Sequence, residues 1–208
     1  MITRTIQKIV LTILITLSTL AFAGGFEGFH IDVGVGKKYN DTTNFSGGGA
    51  GVPDISGNDS FGQIKAGYGF DISSKINLNG NIFYDIGNSK DSIVSGGSNI
   101  TTKYSKTFGF AFEPGFYINE DFLIYGKLGY VKSDFKGVNE TSNISIPADI
   151  DGPLYGFGAK YIINKNVYLG ADIAKYDYGS SSGIDSLNRS VGFNAKQESG
   201  LISIGYKF

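Results

Sequence analysis

The chain has 208 residues, with 18 basic and 19 acidic side chains and a formal net charge of −1, which gives no reason to expect nucleic acid as a partner. It contains no cysteine, which excludes a disulfide framework, a thiolate metal site, a cysteine nucleophile and a cysteine-borne lipid anchor. Glycine (31), phenylalanine (16) and tyrosine (13) are abundant, with 4 prolines and no tryptophan, and this mixture points to an all-β protein rather than a disordered or collagen-like one.

In chain order, residues 1–23 read as an export signal that is cleaved. Arg4 and Lys8 supply the positive region, residues 9–20 the apolar region, and Ala21, Phe22 and Ala23 a small-x-small cleavage site. The apolar run is well short of the ~20 residues a spanning helix needs. Residues 24–208 then form a single domain with 16 basic against 19 acidic residues once Arg4 and Lys8 are removed.

Eight segments of that domain alternate with period two. The first, about 28–37, sets Phe29, Ile31, Val33 and Val35 against His30, Asp32, Gly34 and Gly36. The second (61–71) sets Ile64, Ala66, Tyr68 and Phe70 against Gln63, Lys65, Gly67 and Gly69. The third (76–87) opposes Leu78, Ile82, Tyr84 and Ile86 to Asn77, Asn79, Asn81 and Asp85. The fourth (104–118) carries Phe108, Phe110, Phe112 and Phe116 opposite Thr107, Gly109, Ala111, Glu113 and Gly115. The fifth (122–133) opposes Ile124, Leu128 and Tyr130 to Tyr125, Lys127 and Gly129. The sixth (154–163) opposes Tyr155, Phe157, Ala159 and Tyr161 to Gly156, Gly158 and Lys160. The seventh (167–178) opposes Val167, Leu169, Ala171 and Ile173 to Tyr168, Gly170, Asp172 and Tyr176, and the eighth (196–208) opposes Ile202, Ile204, Tyr206 and Phe208 to Leu201, Ser203, Gly205 and Lys207.

The connections alternate in length. Residues 72–75, 119–121 and 164–166 are short turns, whereas 38–60, 88–103, 134–153 and 179–195 read as four long loops. Short turns at one end and long loops at the other are the pattern of an eight-stranded, antiparallel, up-and-down transmembrane β-barrel, with turns and both termini periplasmic. A soluble barrel also alternates but encloses its apolar row. The membrane arrangement is favoured because the polar row is glycine-rich, which suits a narrow lumen, and because the chain ends on an aromatic. Charges on the apolar row (Lys106, Lys132, Lys175, Glu198) fall mostly beside the long loops, away from the bilayer midplane, where Arg or Lys costs ~2–4 kcal/mol. Pro114 would remove one ladder hydrogen bond near the periplasmic end of the fourth strand.

These segments resemble the small outer-membrane β-barrel family of OmpA/OmpX-like and opacity-type, porin-like proteins. The matching stretches are FHIDVGVG at 29–36, GYGF at 67–70, EPGFY at 113–117, LIYGKLGY at 123–130, YGFGAKY at 155–161 and IGYKF at 204–208. The resemblance covers the domain but not its long loops. It implies a Gram-negative cell-surface barrel inserted by the outer-membrane assembly machinery, for which Ile204, Tyr206 and Phe208 supply the C-terminal signal, with Phe208 closing the sheet against the first strand. It also implies a monomer in outer-membrane lipid. No peptidoglycan-binding domain follows the barrel, so wall anchoring of that kind is not expected.

Seven charges are predicted to face one lumen as a paired ionic network: Asp32, Asp85, Glu113 and Asp172 with Lys65, Lys127 and Lys160. An eight-stranded barrel is just wide enough for its side chains, so mutual pairing is expected and a structural plug is favoured over a pore. His30, the one histidine, is expected to be a packed lumen residue: a lipid-modifying esterase would need serine and an orienting group beside it, and no G-x-S-x-G motif exists. The glycine run at 46–51 lacks the Lys-Ser/Thr of a phosphate loop, and 54–60 has Asp59 where a calcium loop needs glycine. No cofactor, metal or catalytic residue is assigned. The expected function is a non-enzymatic structural or adhesion-type barrel that offers loops to a host or environmental ligand. A narrow, low-conductance porin for ions or small solutes is the alternative, and a lipid A-modifying barrel is disfavoured.

Overall fold

The computed structural model describes residues 25–46, 54–95 and 97–208. The leader reading (1–23) and most of the glycine run at 46–51 lie outside these. The described strands are β1 (Gly28–Ser46), β2 (Ile55–Ser73), β3 (Ile76–Ile86), β4 (Ser89–Ser95), β5 (Ser98–Asn119), β6 (Phe122–Asn139), β7 (Ile144–Ile162), β8 (Val167–Ile184) and β9 (Ser190–Lys207). All pair antiparallel in the order β3-β2-β1-β9-β8-β7-β6-β5-β4, and β3 also pairs with β5, which closes the sheet on itself. The ring has eight walls, because β3 and β4 are successive pieces of one wall against β5. The wall breaks where Gly87 takes φ +111°, and opposite it Lys106 bulges from β5 at φ +50°, so the register shifts by one residue on either side.

Side chains of even and odd positions part as the sequence predicts. Val35 (72% exposed), Ile82 (68%), Phe157 (64%) and Ile202 (68%) lie on the outside, while His30, Asp32, Lys65, Asn77 and Glu113 are buried inside. On β6 the outward apolar run from Phe122 to Tyr130 covers about 27 Å of strand at ~3.4 Å per residue, which tilted by ~40° approaches the ~25 Å band of an outer-membrane barrel.

The connections differ from expectation. The segments read as long loops at 38–60, 88–103, 134–153 and 179–195 are largely strand: β1 runs to Ser46, β6 to Asn139 and β8 to Ile184, and β4 lies wholly within the second of them. The reason is a swap of apolar face within single strands. Along β6, Leu128 and Tyr130 face outward, yet above them Val131 and Phe135 are buried inside while Lys132 and Lys136 are exposed. The backbone register does not change; the surroundings do, from lipid to water. A search for one continuous apolar row stops at that swap.

At the opposite end the turns are tight. The Asn119 Oδ1 accepts from the Asp121 amide (3.0 Å), and Asn164 Oδ1 from the amides of Asn166 (3.1 Å) and Val167 (3.0 Å). Both described chain ends meet there, with the Phe208 amide donating to the Phe29 carbonyl (2.9 Å) and their rings 5.5 Å apart. Pro114 sits opposite Leu78 of β3, in this same half of the barrel.

Candidate functional site

The lumen is filled by side chains in successive layers. At the turn end, Phe26 is tucked inside, edge-on to Tyr168 (5.3 Å) and stacked with Tyr117 (6.1 Å), with Leu123 beside it. Its amide donates to the Tyr117 hydroxyl (2.6 Å), and Lys207 Nζ donates to the Gly25 carbonyl (2.8 Å). Next comes an amide layer, in which Asn77 Nδ2 donates to Asp71 (2.6 Å), Asn79 to Asn77, and His30 Nε2 meets Asn81 Oδ1 (2.8 Å).

The central layer is ionic. Glu113, fully buried on β5, receives a hydrogen bond from Lys160 of β7 (2.8 Å) and lies 3.8 Å from Lys65 Nζ and 3.9 Å from Lys127 Nζ. Lys127 pairs with Asp172 (2.7 Å), which also accepts from the Tyr125 hydroxyl (3.2 Å). Asp32 and Lys65 are direct cross-strand partners, 3.8 Å apart at their charged atoms. Inward glycines make these reaches possible. Tyr125 lies across Gly158 of β7 to reach Asp172 of β8, and Tyr168 lies across Gly205 of β9 towards Asp32 of β1. A Cβ on either glycine would collide with the ring.

Six of the seven predicted network residues share this layer. Asp85 does not: it pairs with Lys38 Nζ at 2.5 Å and accepts from Gln63 Nε2 at 2.8 Å, in a separate group above. Lys38 is not among the seven predicted residues, because the sequence reading ends the first strand at Lys37 and the structure carries it on to Ser46. Its signal was present, since the inward row His30, Asp32, Gly34, Gly36 continues unbroken to Lys38. With it, Asp85 gains a base of its own, and each of the four predicted acids has at least one lysine within 4 Å. Lys38 also lies over the rings of Phe61 (4.9 Å) and Tyr176 (4.8 Å).

Above this pair an apolar layer blocks the lumen: Phe83, Tyr104, Val131, Phe135, Leu154, Tyr178 and Phe193 pack together, with Phe135 and Phe193 stacked at 4.3 Å. Beside it Asn40 bridges Asp91 (2.8 Å) and Gln197 (2.7 Å), and Thr42 bonds to the Tyr104 hydroxyl (2.6 Å). At the rim Asp185 organises the β8–β9 turn, accepting from the Leu187 and Arg189 amides (2.9 and 2.8 Å) and the Arg189 guanidinium (2.8 Å). Burial pushes this carboxyl up, but these hydrogen bonds and the Arg189 charge outweigh it and hold it below the usual carboxylate range.

His30 is buried and bonded to Asn81, with Asp32 at 3.8 Å and the Tyr168 ring edge-on, and among the described residues no serine hydroxyl bonds to it. On the outer wall, Lys175 pairs with Glu198 (3.1 Å), and Lys106 pairs with Asp134 (2.8 Å). Ile204 and Tyr206 face outward, and Phe208 packs on Tyr206 at 5.0 Å.

A closed ring with an apolar outer belt and a charged, packed lumen has few homes. The model of the outer membrane protein beta-barrel domain matches residues 9–208. The chain belongs to that family. Its place is therefore the outer membrane. Among solved structures it is similar to the outer membrane protein OprG from Pseudomonas aeruginosa, at 15% identity over 89% of this chain and 98% of that one, with a TM-score of 0.63. It is similar also to Neisserial surface protein A (14% identity, 86% and 97% covered, TM-score 0.55) and to AlkL determined in lipid bilayers (13%, 90% and 93%, 0.51). At these identities the likeness is one of fold. A search of curated proteins returns no match.

Proposed function

We propose that this family member is a non-enzymatic surface barrel of the structural or adhesion type, closed along its axis, that presents its hairpin ends to a host or environmental ligand. The observation that carries this reading is the double obstruction of the lumen, by the Glu113 ionic layer and by the aromatic layer around Phe135 and Phe193. A chain selected to pass solutes has no use for seven large apolar side chains across its bore. The hairpin ends are held by strand pairing far beyond the belt, which gives a rigid platform for binding at their tips. Ile204, Tyr206 and Phe208, on the lipid side of the closing strand, serve as the signal for the assembly machinery, and the barrel works as a monomer in outer-membrane lipid.

One observation favours the narrow-porin alternative: polar residues line the β1–β4 side from the half-buried Asp71 through Asp32 and Asp85 to Asp91, past the aromatic layer. Reconstitution in a planar bilayer decides between the two. The closed reading expects a quiet membrane, and reproducible discrete current steps would replace it with the porin. The lipid A-modifying reading gains no support, because His30 is committed to Asn81.

A further inference from the structure

Outward charges above the apolar belt are arranged differently on the two halves of the ring. On β8, β9 and β1, Asp177, Lys196 and Asp41 are direct cross-strand neighbours, so each charge faces the opposite sign. On β4, β5 and β6 the neighbours in register are Lys90, Lys103 and Lys136, all exposed on the outer wall. Like charges directly opposite one another repel, and strands ~4.8 Å apart crowd three ammoniums into ~10 Å. The acids of this face do not neutralise the row. Glu140 reaches Lys90 at 4.0 Å, the outer limit of an ion pair, and Asp134 is held by Lys106 at 2.8 Å. Asp149 and Asp151 stand nearer the belt, opposite Asp134 and Lys132, and Asp151 accepts from the Tyr130 hydroxyl. Beyond Lys136 the next residue in register is Pro147.

We propose that Lys90, Lys103 and Lys136 form a binding site for the phosphorylated headgroup of an outer-leaflet glycolipid. The height of the row on the wall selects a lipid. Exposed Tyr84, Tyr130 and Tyr155 mark the upper edge of the belt, as aromatic girdles do at a membrane interface. Lys90 follows Ile86 by four residues and Lys136 follows Tyr130 by six, which at ~3.4 Å per residue and a tilt of ~40° places their backbones ~10 and ~16 Å above that edge. Lysine stems lie along the wall and bring their ammoniums back towards the membrane. The site also continues the lipid-facing surface: acyl chains against Phe108, Phe110 and Leu128 carry their headgroup directly beneath the row. Phosphate is a compact anion with several acceptor oxygens, suited to the point charge of an ammonium, and a headgroup with two phosphates can relieve the repulsion along a row of three. A soluble polyanion would have to lodge between the barrel flank and the membrane surface. The row lies outside the barrel, so this reading does not depend on whether the lumen conducts.

Native mass spectrometry of the folded protein in zwitterionic detergent tests it by counting adducts during titration with diphosphorylated lipid A and with the same lipid stripped of its phosphates. The expected result is at least tenfold tighter binding of the phosphorylated form. The triple variant Lys90→Gln, Lys103→Gln, Lys136→Gln should lose most of that preference. A charge-matched triple on the other half of the ring, Lys37→Gln, Lys175→Gln, Lys196→Gln, should keep it. Equal affinity for the two lipids, or an equal loss in both triples, would overturn the proposal. Heparin that binds the wild-type protein as tightly as lipid A, and is lost in the first triple, would assign the row to a soluble polyanion and overturn it too. Heat-dependent gel mobility shows whether each variant folds. If the first triple does not, Lys103→Gln alone, at the centre of the row, should weaken lipid A binding several-fold, and unchanged binding there overturns the site.

Discussion

Glu113 has three ammoniums around it and one direct hydrogen bond, from Lys160. A lone buried carboxylate would be driven to its neutral form, and lone buried lysines likewise, so each member makes its neighbours tolerable. Replacing such a network with well-packed apolar groups can be neutral, but removing one partner strands the others. Glu113→Ala is therefore expected to lower the unfolding free energy by ~3–5 kcal/mol. The loss should appear as a lower urea midpoint for the gel-mobility shift of folded against unfolded barrel. Adding Lys160→Met to Glu113→Gln should recover part of it. A single Glu113→Ala with an unchanged midpoint would mean that the network is hydrated well enough to be dispensable.

At the scale of elements, the strands are set by the pairing of their neighbours, and their ends by short-range capping. The β8–β9 turn illustrates this, because one carboxylate, Asp185, collects the two amides and the guanidinium that shape it. Its folded pKa is depressed, so its contribution is complete above the ordinary value of 3.8 and is lost as pH falls through the lowered one. Amide protection at Leu187 and Arg189 should therefore hold from neutral pH down to about pH 4 and collapse only below that. Asp185→Asn should lose protection already at neutral pH. Loss between pH 7 and 5 in the wild-type chain would assign the turn's order to another group.

For the whole molecule, two solvents divide each strand. The lower wall is apolar outside and polar inside; on β6 to β9 the upper wall reverses this, with Phe135, Leu154 and Phe193 inside and lysines outside, whereas Asn40, Thr42 and Asp91 keep the other side polar within. Phe157→Arg, in the outward belt, is expected to destabilise the folded barrel in bilayers by ~2–4 kcal/mol if it lies near the midplane. The outward Lys136→Ala, above the belt, should stay within ~0.5 kcal/mol. Equal costs at the two sites would contradict the placement of the membrane. The sequence by itself determined the eight-fold alternation, the side of each strand that meets lipid and six members of the central ionic layer, because period two projects directly onto two faces. It mistook the upper strands for loops and lost Lys38 with them, because polarity is read against an assumed solvent and that solvent changes part-way along each strand. The tertiary structure alone decided that Asp85 belongs with Lys38 and that Tyr168 crosses Gly205 towards Asp32. Those contacts join residues far apart in the chain, and no local period encodes the closure of a sheet into a ring.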